Sequence, residues 1–513
     1  MLLVSTYELG HQPLGLAVPA GALLAAGHEV RCADLSIESL DSGDVAWANA
    51  LAVSVPMHTA TRLARQVIGD VRAMRPDLPV ALYGLYATVG GATVDLAVAG
   101  EYVPELVAWA DRLGRSGATT AAVSRGTAAG LPPAAHLQMT ADTGADAAVA
   151  ASAPGGTAVA AGAPTGAVIV RLGRHRQSAP ARHLLPPLER YAHVLVGGER
   201  RVAGYVEASH GCAHRCRHCP VPVVYDGRTR LVDVPGLLAD VDELVQMGAR
   251  HITFGDPDFL NGPHHARRTV QAVHGAFPDL TFDATVKVEH VLRHRSAWPD
   301  MAEAGFLFVT TAVESADNRV LARLHKGHTV ADAVEAIRVL RSAGIEPRPT
   351  FVPFTPWTDA SGVVALLDLI ARCDLAGNVD PVQLGIRLLL PPGSLLLDDP
   401  DLRACLDGYD DHTLGWRWHS ADERLDTLAG ELAALAEEAE SAAWPAATAH
   451  LAARRLVADR LRLPSSLATP AADPAVASRL APEARPRLSE AWFCCAEPTG
   501  RQWAAAGTTG SCG

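Results

Sequence analysis

Cys212, Cys216 and Cys219 follow closely on the apolar run 202–208 and constrain the chain more than any other feature. The segment reads Glu207-Ala-Ser-His-Gly-Cys-Ala-His-Arg-Cys-Arg-His-Cys-Pro220, a Cys-x3-Cys-x2-Cys spacing on one loop. Three thiols so placed can ligate three irons of a cubane and leave the fourth iron without a protein ligand. Zinc is the chief rival, since His210, His214 and His218 lie in the same stretch and both residue types bind it. Structural zinc sites usually pair two Cys-x2-Cys knuckles, however, and no second pair follows at a suitable distance. A redox pair made of Cys216 and Cys219 leaves Cys212 without a role. The iron–sulfur reading is favoured; a non-catalytic zinc-binding protein is the alternative from a different class.

Around this loop the chain alternates strand and helix signals, an α/β pattern. Strand candidates are 202–208, 251–255, 281–286, 306–313, 345–352 and 382–389. Between the fourth and fifth of these lies a helical stretch in which Val330, Val334, Ile337 and Leu340 recur on one face. Thr329 is placed to cap it and Gly344 to end it. The count predicts a partial (β/α)6 barrel over 185–397, with chemistry at the carboxyl ends of its strands. Residues 1–113 carry their own alternation and predict a doubly wound domain. Residues 114–184 contain an Ala-, Gly- and Thr-rich stretch that buries too little to offset its ordering entropy, and read as insertion and linker. A helical region is expected over 398–490 and a tail over 491–513.

Composition limits the partners. The formal net charge of −12 disfavours nucleic acid, which is bound through clustered Lys and Arg. The opening MLLVSTYELG lacks a basic leader, and no apolar stretch reaches the length of a membrane span, so a cytoplasmic protein is expected. Nine cysteines in 513 residues do not make a disulfide framework.

An open iron can be chelated by the amino and carboxylate groups of S-adenosylmethionine (SAM), whose sulfonium then accepts an electron. The three-cysteine spacing after a barrel strand resembles the radical SAM superfamily over about 200–395. The resemblance implies a [4Fe–4S] cluster on Cys212, Cys216 and Cys219, and SAM as the second cofactor. It also implies a small-molecule substrate and an electron donor such as flavodoxin or ferredoxin. His218 stands where that family usually has an aromatic residue before the third cysteine. Gly255, Asp256 and Asp258 resemble the family's glycine-and-acid motif, which receives the SAM ammonium. Glu314 and Ser315 resemble its fourth-strand motif, followed here by Lys326-Gly327-His328-Thr329.

Residues 1–113 ahead of such a barrel resemble the cobalamin-binding-domain group of the superfamily, through Pro13-Leu-Gly-Leu-Ala and Gly27-His-Glu-Val. That resemblance implies cobalamin-dependent methyl transfer, with cobalamin-independent radical chemistry as the alternative. The cobalt-ligating pattern Asp-x-His-x2-Gly is replaced by Glu8, His11 and Gly15, each interval longer by one. His11 is therefore expected to be a loop residue and not a ligand. The segment Trp492-Phe-Cys494-Cys495-Ala-Glu-Pro resembles a radical SAM subgroup named for a CUAEP or CCAEP tail. It implies a redox role for Cys494 and Cys495.

Overall fold

The computed structural model describes residues 1–89, 94–120, 168–173, 178–464 and 469–490, with side chains withheld for 116–120. They divide into two units. Among the described residues, the first holds those of 1–8 and 13–186, the second Leu9–Gln12 and those of 187–490.

In the first unit the apolar runs of the sequence become parallel strands. They are β1 (Leu2–Ser5), β2 (Arg31–Asp34), β3 (Leu51–Ser54), β4 (Val80–Tyr83), β5 (Leu96–Gly100) and β6 (Val168–Arg171). Their order is β2-β1-β3-β4-β5-β6. Every residue of β1, β3, β4 and β5 is buried, as continuous apolar strands of a sheet covered on both faces must be. The order reverses between β1 and β3, which makes the sheet doubly wound and puts its ligand crevice at the carboxyl ends of those strands. Residues 168–171 depart from expectation. They fall in the stretch read as insertion and linker, yet Val168-Ile-Val-Arg pairs with Ala97–Gly100 residue for residue. Three β-branched residues suffice to extend the sheet; the low-complexity neighbours had masked them.

The second unit begins with the hairpin of β7 (His193–Val196) and β8 (Glu199–Val206). Gly197 and Gly198 both take positive φ, 56° and 85°, as a tight two-residue turn requires. A short ribbon of β9 (Ser209–Gly211) and β10 (Thr229–Leu231) brackets the cysteine loop. Parallel strands β11 (His251–Phe254), β12 (Thr281–Thr285), β13 (Phe306–Glu314) and β14 (Glu346–Phe351) continue from β8. The helix Val330–Ser342 forms as its periodicity predicts, closed by a Thr329–Asp332 capping box, and Gly344 takes φ 84°.

The sixth expected strand, 382–389, does not form. Pro381–Gly385 is a 3₁₀ turn, and one parallel bridge, Phe354 to Arg387, stands where a ladder was expected. Pro381 has no N–H to donate, so the segment docks through Phe354 N to Ile386 O at 3.2 Å and Leu388 N to Phe354 O at 2.8 Å. The sheet is thus a curled half-barrel of five regular parallel strands. The region 398–490 is not all helix either. A hairpin, β15 (Leu406–Asp410) with β16 (Gly415–Trp418), precedes the helices Glu423–Ser441 and Ala446–Arg460. Finally β17 (Arg487–Leu488) pairs with β7. Among the described residues no helix is long and apolar enough to cross a membrane.

Candidate functional site

The cysteine loop leaves the carboxyl end of β8 and is anchored from several sides. Gly211, just before Cys212, has φ 74°, and a Cβ there would lie 2.4 Å from Arg228 O and 2.5 Å from Tyr225 Cδ1. Only glycine meets both demands. Tyr225 is therefore a wall of the loop. Cys212 and Cys216 are buried, Cys219 half-buried, and none of the three is in a disulfide. Asn261 Oδ1 accepts from Ala213 N at 3.1 Å and from the Cys212 thiol at 3.7 Å. Burial pushes the Cys212 thiol up, partly offset by its hydrogen bonds with the His214 backbone and the Asn261 side chain. Arg217 ties the far end down, donating to Leu395 O at 3.1 Å and to Asp399 at 3.4 Å.

The three histidines that made zinc a rival go three ways. His210 Nε2 lies 3.3 Å from Glu207, His214 Nε2 lies 3.2 Å from His290 Nε2, and His218 Nε2 lies 3.2 Å from Glu314.

Glu314 ends β13 at a register shift, with φ 67°. A non-glycine residue in that region is strained backbone, of the kind that clusters at functional sites. Its Oε1 takes Lys326 Nζ at 3.1 Å as well as His218 Nε2, and all three side chains are buried. Burial alone would raise the Glu314 carboxyl; the Lys326 charge and the His218 hydrogen bond overcome it and hold the group at about 2. Burial opposes the Lys326 ammonium, but Glu314 and the charges of Cys216 and Cys219 hold it above its usual range. The ammonium therefore faces both the carboxylate and two of the candidate ligands. His328, close by, is pushed down to about 4 by burial and by Lys326.

Asp256 lies beneath the loop, accepting from Ala208 N at 2.9 Å and Ser209 Oγ at 2.5 Å. Burial lifts its carboxyl to about 7 against those two bonds. Both its oxygens serve the chain's own donors. Gly255 is set by packing: a Cβ would sit 2.0 Å from Tyr205 Cζ. Asp258 is fully buried, with Oδ1 3.4 Å from Lys287 N and Oδ2 2.7 Å from His290 Nδ1. Ser315 Oγ accepts from Asp317 N at 3.1 Å. Arg348 pairs with Asp380 at 3.0 Å. The structure thus brings His218 and Glu314 together, and sets Asp256 and Asp258 at the carboxyl end of β11. Four residues escaped the sequence reading as site members: Asn261, Lys287, His290 and Lys326. Lys287 and His290 follow a barrel strand, which is the signal that could have found them. Cys494 and Cys495 lie outside the described residues.

At the carboxyl edge of the first unit, the Glu8 carboxylate accepts from Gly15 N at 3.4 Å and from Ser54 Oγ at 3.4 Å. A Cβ on Gly15 would fall 2.4 Å from Glu8 Oε1. His11 is a loop residue, as expected, but a buried one. It is buried in the second unit, its ring 4.8 Å from that of Tyr205, and burial pushes it down to about 4.

Residues 206–367, from the end of β8 through the helix Ala360–Arg372, match the radical SAM superfamily. Over that stretch the chain carries a radical SAM domain. Among its curated relatives is the hopanoid C-2 methylase of Rhodopseudomonas palustris, 25% identical over 163 residues, covering 30% of each chain. Another is the tRNA-2-methylthio-N(6)-dimethylallyladenosine synthase of Chlorobium luteolum, 26% identical over 31% of this chain and 36% of that one. The chain thus spans about a third of the length of the curated relatives it matches. Its fold is similar to that of the cobalamin-dependent S-adenosylmethionine radical enzyme OxsB with aqua-cobalamin bound (TM-score 0.59, 13% identity, 86% of this chain and 66% of that one). The methyltransferase TsrM from Kitasatospora setae, with tryptophan and a SAM analogue bound, also shares it (TM-score 0.50, 21% identity, 72% and 70%).

Proposed function

We propose that this chain is a radical SAM enzyme whose Cys212, Cys216 and Cys219 hold a [4Fe–4S] cluster, and that it modifies a small molecule, with cobalamin-dependent methyl transfer the favoured reaction. The observation that carries the reading is the placement of three cysteines on the loop that follows β8, with the buried Lys326–Glu314–His218 group close by. The thiols fit the cluster by number and spacing, three on one loop and none of them in a disulfide. When bound, the cluster supplies one electron to the sulfonium of SAM, giving methionine and a 5′-deoxyadenosyl radical that takes hydrogen from the substrate.

The chain's own residues hold and orient. Lys326 places a positive charge near Cys216 and Cys219. Glu314 stays ionised at any ordinary pH and offers a fixed acceptor for a ribose hydroxyl or an ammonium. Asp256 and Asn261 hold the two ends of the turn that presents Cys212. An electron donor of the flavodoxin or ferredoxin kind is required as a partner, and a cytoplasmic setting keeps the thiols reduced.

The doubly wound sheet of the first unit supports cobalamin, which supplies a methyl carrier when bound. Because Glu8, His11 and Gly15 depart from the cobalt-ligating spacing, His11 is not proposed as a ligand to its cobalt. Anaerobic reconstitution tests the whole reading. It expects about four iron and four sulfide per chain, and 5′-deoxyadenosine from SAM with dithionite. Stoichiometric zinc on the thiols would reject it. Cobalamin retained by the full chain on desalting separates methyl transfer from cobalamin-independent hydrogen abstraction, which is the second reading.

A further inference from the structure

A second group of metal-ligating side chains lies at the same end of the barrel and uses none of the three cysteines. His214 comes from the loop between Cys212 and Cys216, Asp258 from the turn after β11, and His290 from the helix Val288–Arg293 after β12. One ligand atom of each lies within 4.8 Å of the others. His214 Nε2 is 3.2 Å from His290 Nε2 and 3.7 Å from Asp258 Oδ2. Donors bound tetrahedrally at 2.0–2.1 Å from zinc stand roughly 3.3 Å apart, so the spacing suits a shared ion.

A second observation points to a ligand. Asp258 and His290 are buried, and Asp258 Oδ2 and His290 Nδ1 complete no hydrogen bond although they approach to 2.7 Å. A buried carboxylate oxygen and imidazole nitrogen left in this state cost free energy. A cation held by Asp258 Oδ2 gives that buried oxygen a partner. The nearby Lys287 ammonium does not fill that role, since it lies 3.6 Å from Glu289, which also stands 3.7 Å from His214 Nδ1.

We infer that His214, Asp258 and His290 form a site for one divalent first-row metal ion, zinc or iron(II), separate from the thiol site. Two imidazoles and one carboxylate are the donor set of mononuclear sites that keep coordination positions open. Those positions suit an oxygen or nitrogen donor on a small ligand. The ion also ties the cysteine loop to the ends of β11 and β12 through His214.

Full-length protein, reconstituted anaerobically with iron and sulfide and then stripped of loose metal with a chelator, provides the test. Titrated with zinc and desalted, it should retain about one zinc per chain beside an unchanged sulfide content. Iron(II) in place of zinc reports which ion is held more tightly. Cobalt(II) bound to the unmutated protein should show d–d absorption with no thiolate charge-transfer band, which reads the ligand set without any variant. His290→Gln and His214→Asn should weaken retention more than about tenfold while the sulfide content per chain persists. No retained zinc, retention unaffected by His290→Gln, or a thiolate band from cobalt would overturn the site. A cluster that fails to assemble is read separately, by its sulfide content, and bears on the proposed function.

Discussion

Lys326 Nζ stands 3.1 Å from Glu314 Oε1 with both side chains buried, so the carboxylate that ends β13 belongs to an ion pair set against the cysteine loop. Breaking a buried pair by removing one partner leaves an uncompensated charge and costs about 3–5 kcal/mol. Lys326→Met is therefore expected to lower the melting temperature clearly and to abolish SAM cleavage. Adding Glu314→Gln removes the stranded charge, so the double variant should regain much of the stability and none of the cleavage. Thermal unfolding and 5′-deoxyadenosine production, measured on the same samples, check this. Equal stability in the single and double variants would sink the pairing.

The sequence showed Glu314 but not why it stays ionised, because its partner lies twelve residues further on, beyond a turn and a short helix. Strand periodicity and the cysteine spacing carried the two sheets and the loop, since both are local in the chain. What escaped depends on contacts made at long range. The sixth barrel strand failed where Pro381 and Gly385 favoured a 3₁₀ turn over a ladder. Strand β6 hid in an Ala- and Gly-rich stretch because only the β5 edge makes it a strand. Asp256 read as a ligand-facing acid by position, whereas its oxygens are taken by Ala208 and Ser209, donors 48 and 47 residues away.

Asn261 links the turn after β11 to the cysteine loop through Ala213 N. Asn261→Asp keeps an acceptor for that N–H and adds a negative charge near the Cys212 sulfur. A negative charge disfavours adding an electron to a cluster. The expected result is near-normal cluster loading with a reduction potential lowered by roughly tens of millivolts, and slower SAM cleavage with a weak reductant. Asn261→Ala instead loses the anchor and should lower loading. A redox titration followed by paramagnetic resonance distinguishes the two; an unchanged potential in the Asp variant counts against the contact.

Gly255 has no room for a methyl group, since Tyr205 Cζ occupies the place a Cβ would take. Gly255→Ala must push the Tyr205 ring away and weaken its hydroxyl contact with Glu207, now 3.2 Å. Overpacking of this kind costs about 1–3 kcal/mol. Combining it with Tyr205→Leu, which vacates that space, should recover part of the loss. Denaturant midpoints of the two single variants and the double variant decide it, and strictly additive losses would refute the steric account.

His11 gives the chain a predictable weakness in acid. Its ring is buried against Tyr205, its Nδ1 lacks a hydrogen-bond partner, and burial depresses its pKa from 6.5 to about 4, opposed only in part by Asp283 and reinforced by His251. A histidine with a depressed folded pKa binds its proton more readily once unfolded, so the folded state is favoured at high pH. That stability is fully present above about pH 6.5 and is lost as the pH falls toward about 4. A tenfold change in proton affinity corresponds to about 1.4 kcal/mol, so the whole effect amounts to at most about 3 kcal/mol. His11→Phe keeps a ring on Tyr205 and removes the titration. Between about pH 7 and pH 5 the melting temperature should fall less in this variant than in the unmutated chain, while above about pH 7 the two should run parallel. If both curves fall equally in acid, His11 carries its proton in the folded chain and its burial does not set the acid limit.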